Sequence, residues 1–285
     1  MDDAMDGATV TMERAGGRRL RTATWRLDKA SEHPPLLFFN GIGANIEAVA
    51  PLANAMPERA LIMFDMPGTG DSPDPVVPYN PSIMSWTARR LLSRLGVERV
   101  DVMGVSWGGS IAQHFALQHP GSTRKLVLAA TGAGMLMVPG DPSALGAMAD
   151  PTRQADLAYM NELFAAMYGA PMGDRSRAEK RAAMGRLKPP SPVGYAYQLM
   201  AMFGWTSLPA LPFIASDTLI MMGADDRIVP PANGQILNCA IPGSRLVVIE
   251  GGGHLFLLTH SRQSIAAIRD FLGGPQTSSE ERHAA

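Results

Sequence analysis

The chain has almost no cysteine: Cys239 is the only one among 285 residues. A disulfide framework is therefore excluded, and a reducing compartment is expected. Net charge is nearly absent too. The 25 Lys and Arg against 26 Asp and Glu leave a formal charge of -1 and a pI near 6.6. That balance gives no electrostatic reason to expect nucleic acid or an anionic membrane as partner. Long apolar runs are missing as well. The longest, LVLAATGAGMLMV from Leu126, is too short for a membrane span and is cut by Gly132 and Gly134. The N-terminal MDDAMDGATV has neither the basic region nor the apolar run of a signal peptide. A soluble cytoplasmic protein without a membrane span is the expectation. What is present, 46% hydrophobic and 18% charged residues, suits a folded domain with a sizeable core.

Short apolar runs alternate with longer helical patterns, as in a mainly parallel sheet covered by helices. LRTATWRL (Leu20 to Leu27) alternates and suits an early antiparallel strand. PLLFFN (from Pro35), ALIMFD (from Ala60), VDVMGV (from Val100), KLVLAAT (from Lys125), TLIMMG (from Thr218) and RLVVIE (from Arg245) read as buried strands. Helices are predicted for SIMSWTARRLLSRL from Ser82, GSIAQHFALQH from Gly109 and SRQSIAAIRDFL from Ser261. Between Thr131 and Thr218 the rhythm breaks. That interval exceeds a plain crossover by roughly 60 residues and carries helical patterns in RQADLAYMNELFAAMY (from Arg153) and VGYAYQLMAMFGW (from Val193). A helical lid is the expected outcome. The polar tail QTSSEERHAA reads as disordered.

The chemistry converges on DVMGVSWGGS. Gly104-Val105-Ser106-Trp107-Gly108 fits G-x-S-x-G in the strand–turn–helix setting that this pattern requires. A nucleophile held at strained backbone angles in a tight turn needs glycine two residues before and after it. Serine is a poor nucleophile without a base oriented by a carboxylate. Of the 6 histidines, His254 follows the last strand, where catalytic groups of open α/β sheets gather. Asp225 and Asp226 follow the TLIMMG strand, and Asp226 is preferred because it directly precedes the RIVP turn. The order Ser106, Asp226, His254 matches the order expected for such a fold. Asp65, after ALIMFD, reads as a structural brace for the loop MPGTGDSP. The oxyanion of an attacked ester needs backbone N–H donors. Trp107 supplies one, and Ile42, in Asn40-Gly41-Ile42-Gly43, the other. The same loop, GIGANI with Asp65 downstream, partly matches a dinucleotide-binding pattern. Ile46 stands where that pattern needs a small residue, and Ser106, Asp226 and His254 would go unexplained. No cofactor or metal is expected.

These residues carry a resemblance. FNGIGAN, GVSWGG, LVLAATGAGMLMVPG, GWTS and GGHLFL, in this order from about residue 20 to 273, resemble the α/β-hydrolases, and more narrowly the intracellular depolymerases of medium-chain-length polyhydroxyalkanoates. The resemblance implies a mostly parallel eight-stranded sheet flanked by helices, with a helical lid inserted after the sixth strand. The core would be 1–131 and 214–274, the lid 132–213 and the tail 275–285. It also implies a serine esterase with Ser106, Asp226 and His254 as triad, acting on hydroxyalkanoate polyesters or oligomers. The partners would be an apolar ester or polyester substrate and, beyond it, a polymer granule surface.

Methionine fits an apolar substrate: nine of the 19 fall between Met135 and Met202, and flexible thioethers suit a pocket for variable acyl chains. Asn40, Met135, Met137, Trp205 and Leu255 are the expected substrate contacts. A carboxylesterase or lactonase for small apolar esters shares all of the core chemistry. A cofactor-free C–C hydrolase or a haloperoxidase-type relative would use the same triad on other substrates. A non-catalytic granule-binding role would be expected to lack part of the triad, and an epoxide or haloalkane hydrolase would want aspartate at position 106.

Overall fold

Strands that are apolar throughout, rather than alternating, must be covered on both faces, and this dictates the architecture. The computed structural model describes residues 5–29, 31–149 and 188–273. Its sheet has eight strands, β1 (Ala8–Ala15), β2 (Arg18–Trp25), β3 (Leu36–Phe39), β4 (Leu61–Phe64), β5 (Val100–Val105), β6 (Thr123–Ala129), β7 (Asp217–Gly223) and β8 (Arg245–Ile249). They lie in the order β1-β2-β4-β3-β5-β6-β7-β8. β1 and β2 form an antiparallel hairpin and β2 runs antiparallel to β4. From β4 to β8 every neighbouring pair is parallel.

Successive side chains of a strand face opposite ways, and two apolar layers result. Leu37, Phe39, Ile62, Phe64, Val102 and Leu128 pack on one face with Met84, Ala88, Leu91, Ile111 and Phe115. Those partners come from two helices, designated α3 (Pro81–Arg94) and α4 (Trp107–Gln118). Leu36, Phe38, Leu61, Met63, Val127 and Met221 pack on the other with Ile46, Ala53, Ile268 and Leu272. Here the partners are α1 (Ile46–Val49), α2 (Pro51–Ala55) and the last helix, α9 (Ser261–Gly273). Asn80 starts α3 by accepting the Ile83 N–H at 2.9 Å, ahead of a proline at the first helical position.

The interval between β6 and β7 contains α5 (Pro142–Met148) and α6 (Pro192–Met202). α6 matches the helix predicted from Val193, while the pattern from Arg153 and the tail 275–285 lie outside the described residues. The two ends of the interval are hydrogen-bonded together. Gly134 and Thr206 form an antiparallel bridge, the Met135 N–H donates to the Trp205 carbonyl at 2.8 Å, and the Ser207 N–H donates to the Ala133 carbonyl at 3.1 Å. Among the described residues the remaining α-helices are α7 (Ala232–Ala240) and α8 (Phe256–Thr259). Among the described residues no helix is long and apolar enough to cross a membrane.

Three differences from the sequence reading have physical causes. β1 went unrecognised because it is an edge strand whose residues are mostly exposed, so no apolar run marks it. β2 lies two residues earlier than LRTATWRL; Gly16 and Gly17, both at positive φ, make a two-residue hairpin turn that sets its start. Helix α4 begins at Trp107 rather than Gly109, directly after Ser106.

Candidate active site

Strand order reverses between β3 and β5, because the chain steps outward one way to β4 and then the other way through β6, β7 and β8. Crevices form beyond the carboxyl ends of strands at such a reversal. The loop after β3 (Asn40 to Ala44) and the turn after β5 (Ser106) are the two segments that meet there.

Ser106 adopts φ 52°, ψ −121°, the left-handed side of the map that side-chain-bearing residues avoid. Holding it there costs on the order of 1–3 kcal/mol, and three hydrogen bonds clamp it. The Ser106 N–H donates to the Ala129 carbonyl at 2.9 Å, and the Gly109 N–H donates to the Ser106 carbonyl at 2.9 Å. The Thr131 hydroxyl donates to that same carbonyl at 2.8 Å. The flanking glycines have steric reasons. A Cβ on Gly104 would lie 2.4 Å from the Gly108 carbonyl oxygen, and one on Gly108 would lie 2.2 Å from that of Phe39.

His254 lies between Ser106 and Asp226. Its Nε2 is 2.9 Å from Ser106 Oγ and its Nδ1 is 2.8 Å from Asp226 Oδ2. Both side chains are buried, His254 at 3% and Asp226 at 0% exposure. The other carboxylate oxygen of Asp226 accepts the backbone N–H groups of Ile228 and Val229 at 2.8 and 2.9 Å. Asp225 is exposed; its N–H bonds the Gly252 carbonyl and so ties the turn after β7 to the loop after β8. With Asp226 accepting from Nδ1–H, Nε2 is left with a lone pair facing the serine hydroxyl. A hydroxyl, an imidazole and a buried carboxylate so linked can move a proton off the serine as it attacks a carbonyl.

The loop after β3 passes close to the serine, since a Cβ on Gly41 would lie 3.7 Å from Ser106 Cβ. Among the described residues, neither the Ile42 N–H nor the Trp107 N–H has a hydrogen-bond acceptor. Both are therefore open to an oxyanion, and the second opens helix α4, whose dipole favours negative charge there. The Asn40 side chain works within the loop: its Nδ2 donates to the Asn45 carbonyl and its Oδ1 accepts from the Gly41 N–H. Leu255 is half-buried beside His254. Met137 packs against the core under Gly132. Met135 is 60% exposed and accepts the Gly204 N–H on its sulfur. The Trp205 indole N–H donates to His114 Nε2 at 2.8 Å, which ties its ring to the flank of α4. Burial holds His114 below the usual histidine range, in keeping with a neutral acceptor.

Asp65 braces two loops at once. It accepts from the Ile46 N–H at 2.8 Å and the Asp71 N–H at 3.3 Å. Arg21, which also pairs with Glu47, contacts it at 3.1 Å. Burial still outweighs these donors and pushes the Asp65 carboxyl up to about 6. Two supports escaped the sequence reading. Thr131 carried no signal. Gln198 did: it is the only amide side chain in PVGYAYQLMAM, an otherwise apolar and aromatic helix, and it is fully buried. Among the described residues no group of three or more His, Cys, Asp or Glu could hold a metal ion.

The model of the alpha/beta hydrolase fold family matches residues 34–261. The chain is 42% identical over 241 residues, 84% of both chains, to a poly(3-hydroxyalkanoate) depolymerase of Ectopseudomonas oleovorans. It is 29% identical to a 2-hydroxy-6-oxo-2,4-heptadienoate hydrolase of Pseudomonas putida, covering 84% of this chain and 88% of that one. Among solved structures, the enol-lactonase of Burkholderia xenovorans superposes with a TM-score of 0.80 at 20% identity, over 93% of this chain and all of that one (100%).

Proposed function

Since the chain belongs to the α/β-hydrolase fold family, we propose that it is a serine ester hydrolase acting on medium-chain hydroxyalkanoate polyesters or their oligomers. The observation that carries the chemistry is the hydrogen-bonded line Ser106–His254–Asp226, at 2.9 and 2.8 Å. His254 Nε2 takes the proton of Ser106 Oγ as the oxygen attacks the ester carbonyl, while Asp226 holds the ring and stabilises its positive charge. The oxyanion is bound by the N–H groups of Ile42 and Trp107. Collapse of the tetrahedral intermediate gives an acyl-enzyme, with the alcohol leaving on the proton returned by His254. Water, activated by the same imidazole, then releases the hydroxy acid.

The substrate class is supported by the 42% identity, over most of both chains, to the poly(3-hydroxyalkanoate) depolymerase. In this reading 132–213 is the lid, 1–131 and 214–274 are the core, and the cytoplasm is the site of action. A second reading, a hydrolase for small esters, lactones or C–C bonds, has support of its own. The heptadienoate hydrolase covers as much of this chain as the depolymerase does.

A substrate panel separates the two. The polyester reading expects hydroxy acid release from an emulsified medium-chain polyhydroxyalkanoate at a rate per enzyme comparable to that on its soluble oligomers. Turnover confined to small p-nitrophenyl esters or lactones favours the second reading. Ser106→Ala is expected to lower ester hydrolysis by about 10⁴-fold or more; activity within tenfold of the unmodified chain refutes the serine mechanism for both.

A further inference from the structure

The buried amide of Gln198 lies 155 residues along the chain from the loop it bonds, and nothing in the catalytic line itself uses it. Its Oε1 accepts the Gly43 N–H at 2.9 Å. An N–H can only donate, so this contact fixes which end of the amide faces which way. The Nε2 end then donates to Thr69 Oγ1 at 2.9 Å. The backbone carbonyl of the same residue accepts the Trp107 indole N–H, also at 2.9 Å. Gly43 directly follows Ile42, and Trp107 is the residue after Ser106. One residue of α6 therefore holds the neighbour of one candidate oxyanion donor and the side chain of the other.

The seating around Gln198 is tight enough to transmit position. Gly68 and Gly194 meet backbone to backbone: a Cβ on Gly68 would lie 2.5 Å from Gly194 Cα. The Ser191 N–H donates to the Gly68 carbonyl at 2.8 Å. Gly43, at φ +69°, lies under the ring of Tyr195, 3.0 Å from where a Cβ would stand. The Trp107 ring is flanked edge-on by Tyr79. Gln198 has 0% exposure, so no water can substitute for either amide contact.

We propose that Gln198 is a positioning residue for the oxyanion hole, through which α6, outside the central sheet, sets the Ile42 and Trp107 amides against Ser106. The inference rests on the serine-hydrolase reading given above. It concerns stabilisation of the tetrahedral intermediate, not binding of the ground-state ester. Displacing a donor by about 1 Å costs roughly 100-fold in rate.

The test compares Gln198→Met, which keeps the volume and loses the side-chain amide's hydrogen bonds, with Gln198→Glu, which keeps an acceptor for Gly43. Steady-state kinetics on a p-nitrophenyl ester, thermal midpoints and inhibition by an alkylboronic acid are measured for each, with Ser106→Ala alongside. The boronic acid forms a tetrahedral adduct with the serine and places an oxygen in the oxyanion position. Gln198→Met is expected to lower kcat by about 30- to 100-fold with KM within about twofold, and to raise the boronate inhibition constant in parallel. Gln198→Glu is expected to recover most of the lost kcat although a buried carboxyl lowers its thermal midpoint. That opposite movement of stability and rate is what a merely structural role would not produce. An inactive Ser106→Ala together with Gln198→Met at full kcat, or with a change in KM alone, overturns the positioning role and leaves the serine mechanism standing. Should Gln198→Met fail to fold, Gln198→Glu decides instead: kcat and boronate affinity near those of the unmodified chain with a lowered thermal midpoint support the positioning role, and a kcat lowered in step with stability overturns it. An active Ser106→Ala takes both down.

Discussion

Replacing Asp226 by asparagine changes one atom, and the structure dictates which way the new amide turns. Asp226 Oδ1 accepts two buried backbone N–H groups, from Ile228 and Val229, whereas Oδ2 meets the single Nδ1 of His254. An asparagine with its NH₂ toward Ile228 and Val229 would set donor against donor twice. Each stranded buried N–H costs about 1–3 kcal/mol, so the amide oxygen stays on the backbone pair. The NH₂ then faces His254 Nδ1 at hydrogen-bond distance and can only donate. His254 answers with the tautomer that carries its proton on Nε2, and that proton points at Ser106 Oγ, where the mechanism needs a lone pair.

The expected consequence is a fall in kcat of about 10⁴-fold, equivalent to about 5 kcal/mol of transition-state stabilisation. KM should stay within about threefold, because Asp226 is buried behind the imidazole and touches no substrate. The thermal midpoint should move little, since both backbone hydrogen bonds survive. Asp225→Asn is the control: its side chain is exposed, and the contact to Gly252 is made by its backbone N–H. It should keep kcat within about twofold. The assay is initial-rate hydrolysis of a soluble ester over a range of pH. Asp226→Asn within tenfold of the unmodified chain, or Asp225→Asn as the more damaging change, would refute the reasoning.

Two further predictions concern the frame around the site. Gly108→Ala would drive a Cβ to 2.2 Å from the Phe39 carbonyl and 2.5 Å from that of Asn40, backbone atoms that cannot swing aside. A loss of about 1–3 kcal/mol of stability and of about 100-fold in kcat is expected, while Gly121→Ala, which meets nothing within 4 Å, should match the unmodified chain in denaturation and kinetics. Burial pushes Asp65 from its ordinary 3.8 up to about 6, so the folded state holds this proton where the unfolded chain has released it. A carboxyl raised in this way stabilises the fold at low pH and loses that contribution as pH rises from about 4 through about 6, on the order of 3 kcal/mol in all. Asp65→Asn should flatten the slope of denaturant-derived stability in that window, and parallel curves for the two proteins would count against it.

What could be read from the residues alone divides by sequence distance. The turn at Ser106 needs glycines at fixed offsets because of its own backbone, so GVSWGG carries its geometry within a few residues. Each apolar strand is likewise marked by its own composition, and Ser106, Asp226 and His254 all follow such strands, although β8, at the sheet edge, is only partly buried rather than buried as its composition suggests. β1 carries no such mark, being exposed along most of its length. The four-residue α1 and five-residue α2 are too short for any periodicity to show, and α7 was hidden behind Pro230 and Pro231, with Asn233 and Gly234 in its own first turn. Asp65 read correctly as a brace for the loop that follows it. That it also holds the Ile46 N–H, 19 residues back, required the fold.

Gln198 shows where local reading stops and what that implies for the site. Its partners lie 155, 129 and 91 residues away, and a lone glutamine in an apolar helix signals only that some buried partner must exist. The sheet delivers Ser106, His254 and Asp226 from three strand ends, but a strand end cannot also stop the neighbouring loop at Gly43 from drifting. That loop is glycine-rich because it must pass close to the serine, and the same glycines leave it conformationally free. Something outside the sheet has to hold it. In this chain α6 does so, pressed backbone to backbone on Gly68 and hydrogen-bonded through one buried amide to Gly43 and Thr69. On the proposed mechanism the segment between β6 and β7 therefore cannot vary only to suit the substrate, because part of it also holds the loop and the indole beside the Ile42 and Trp107 amides.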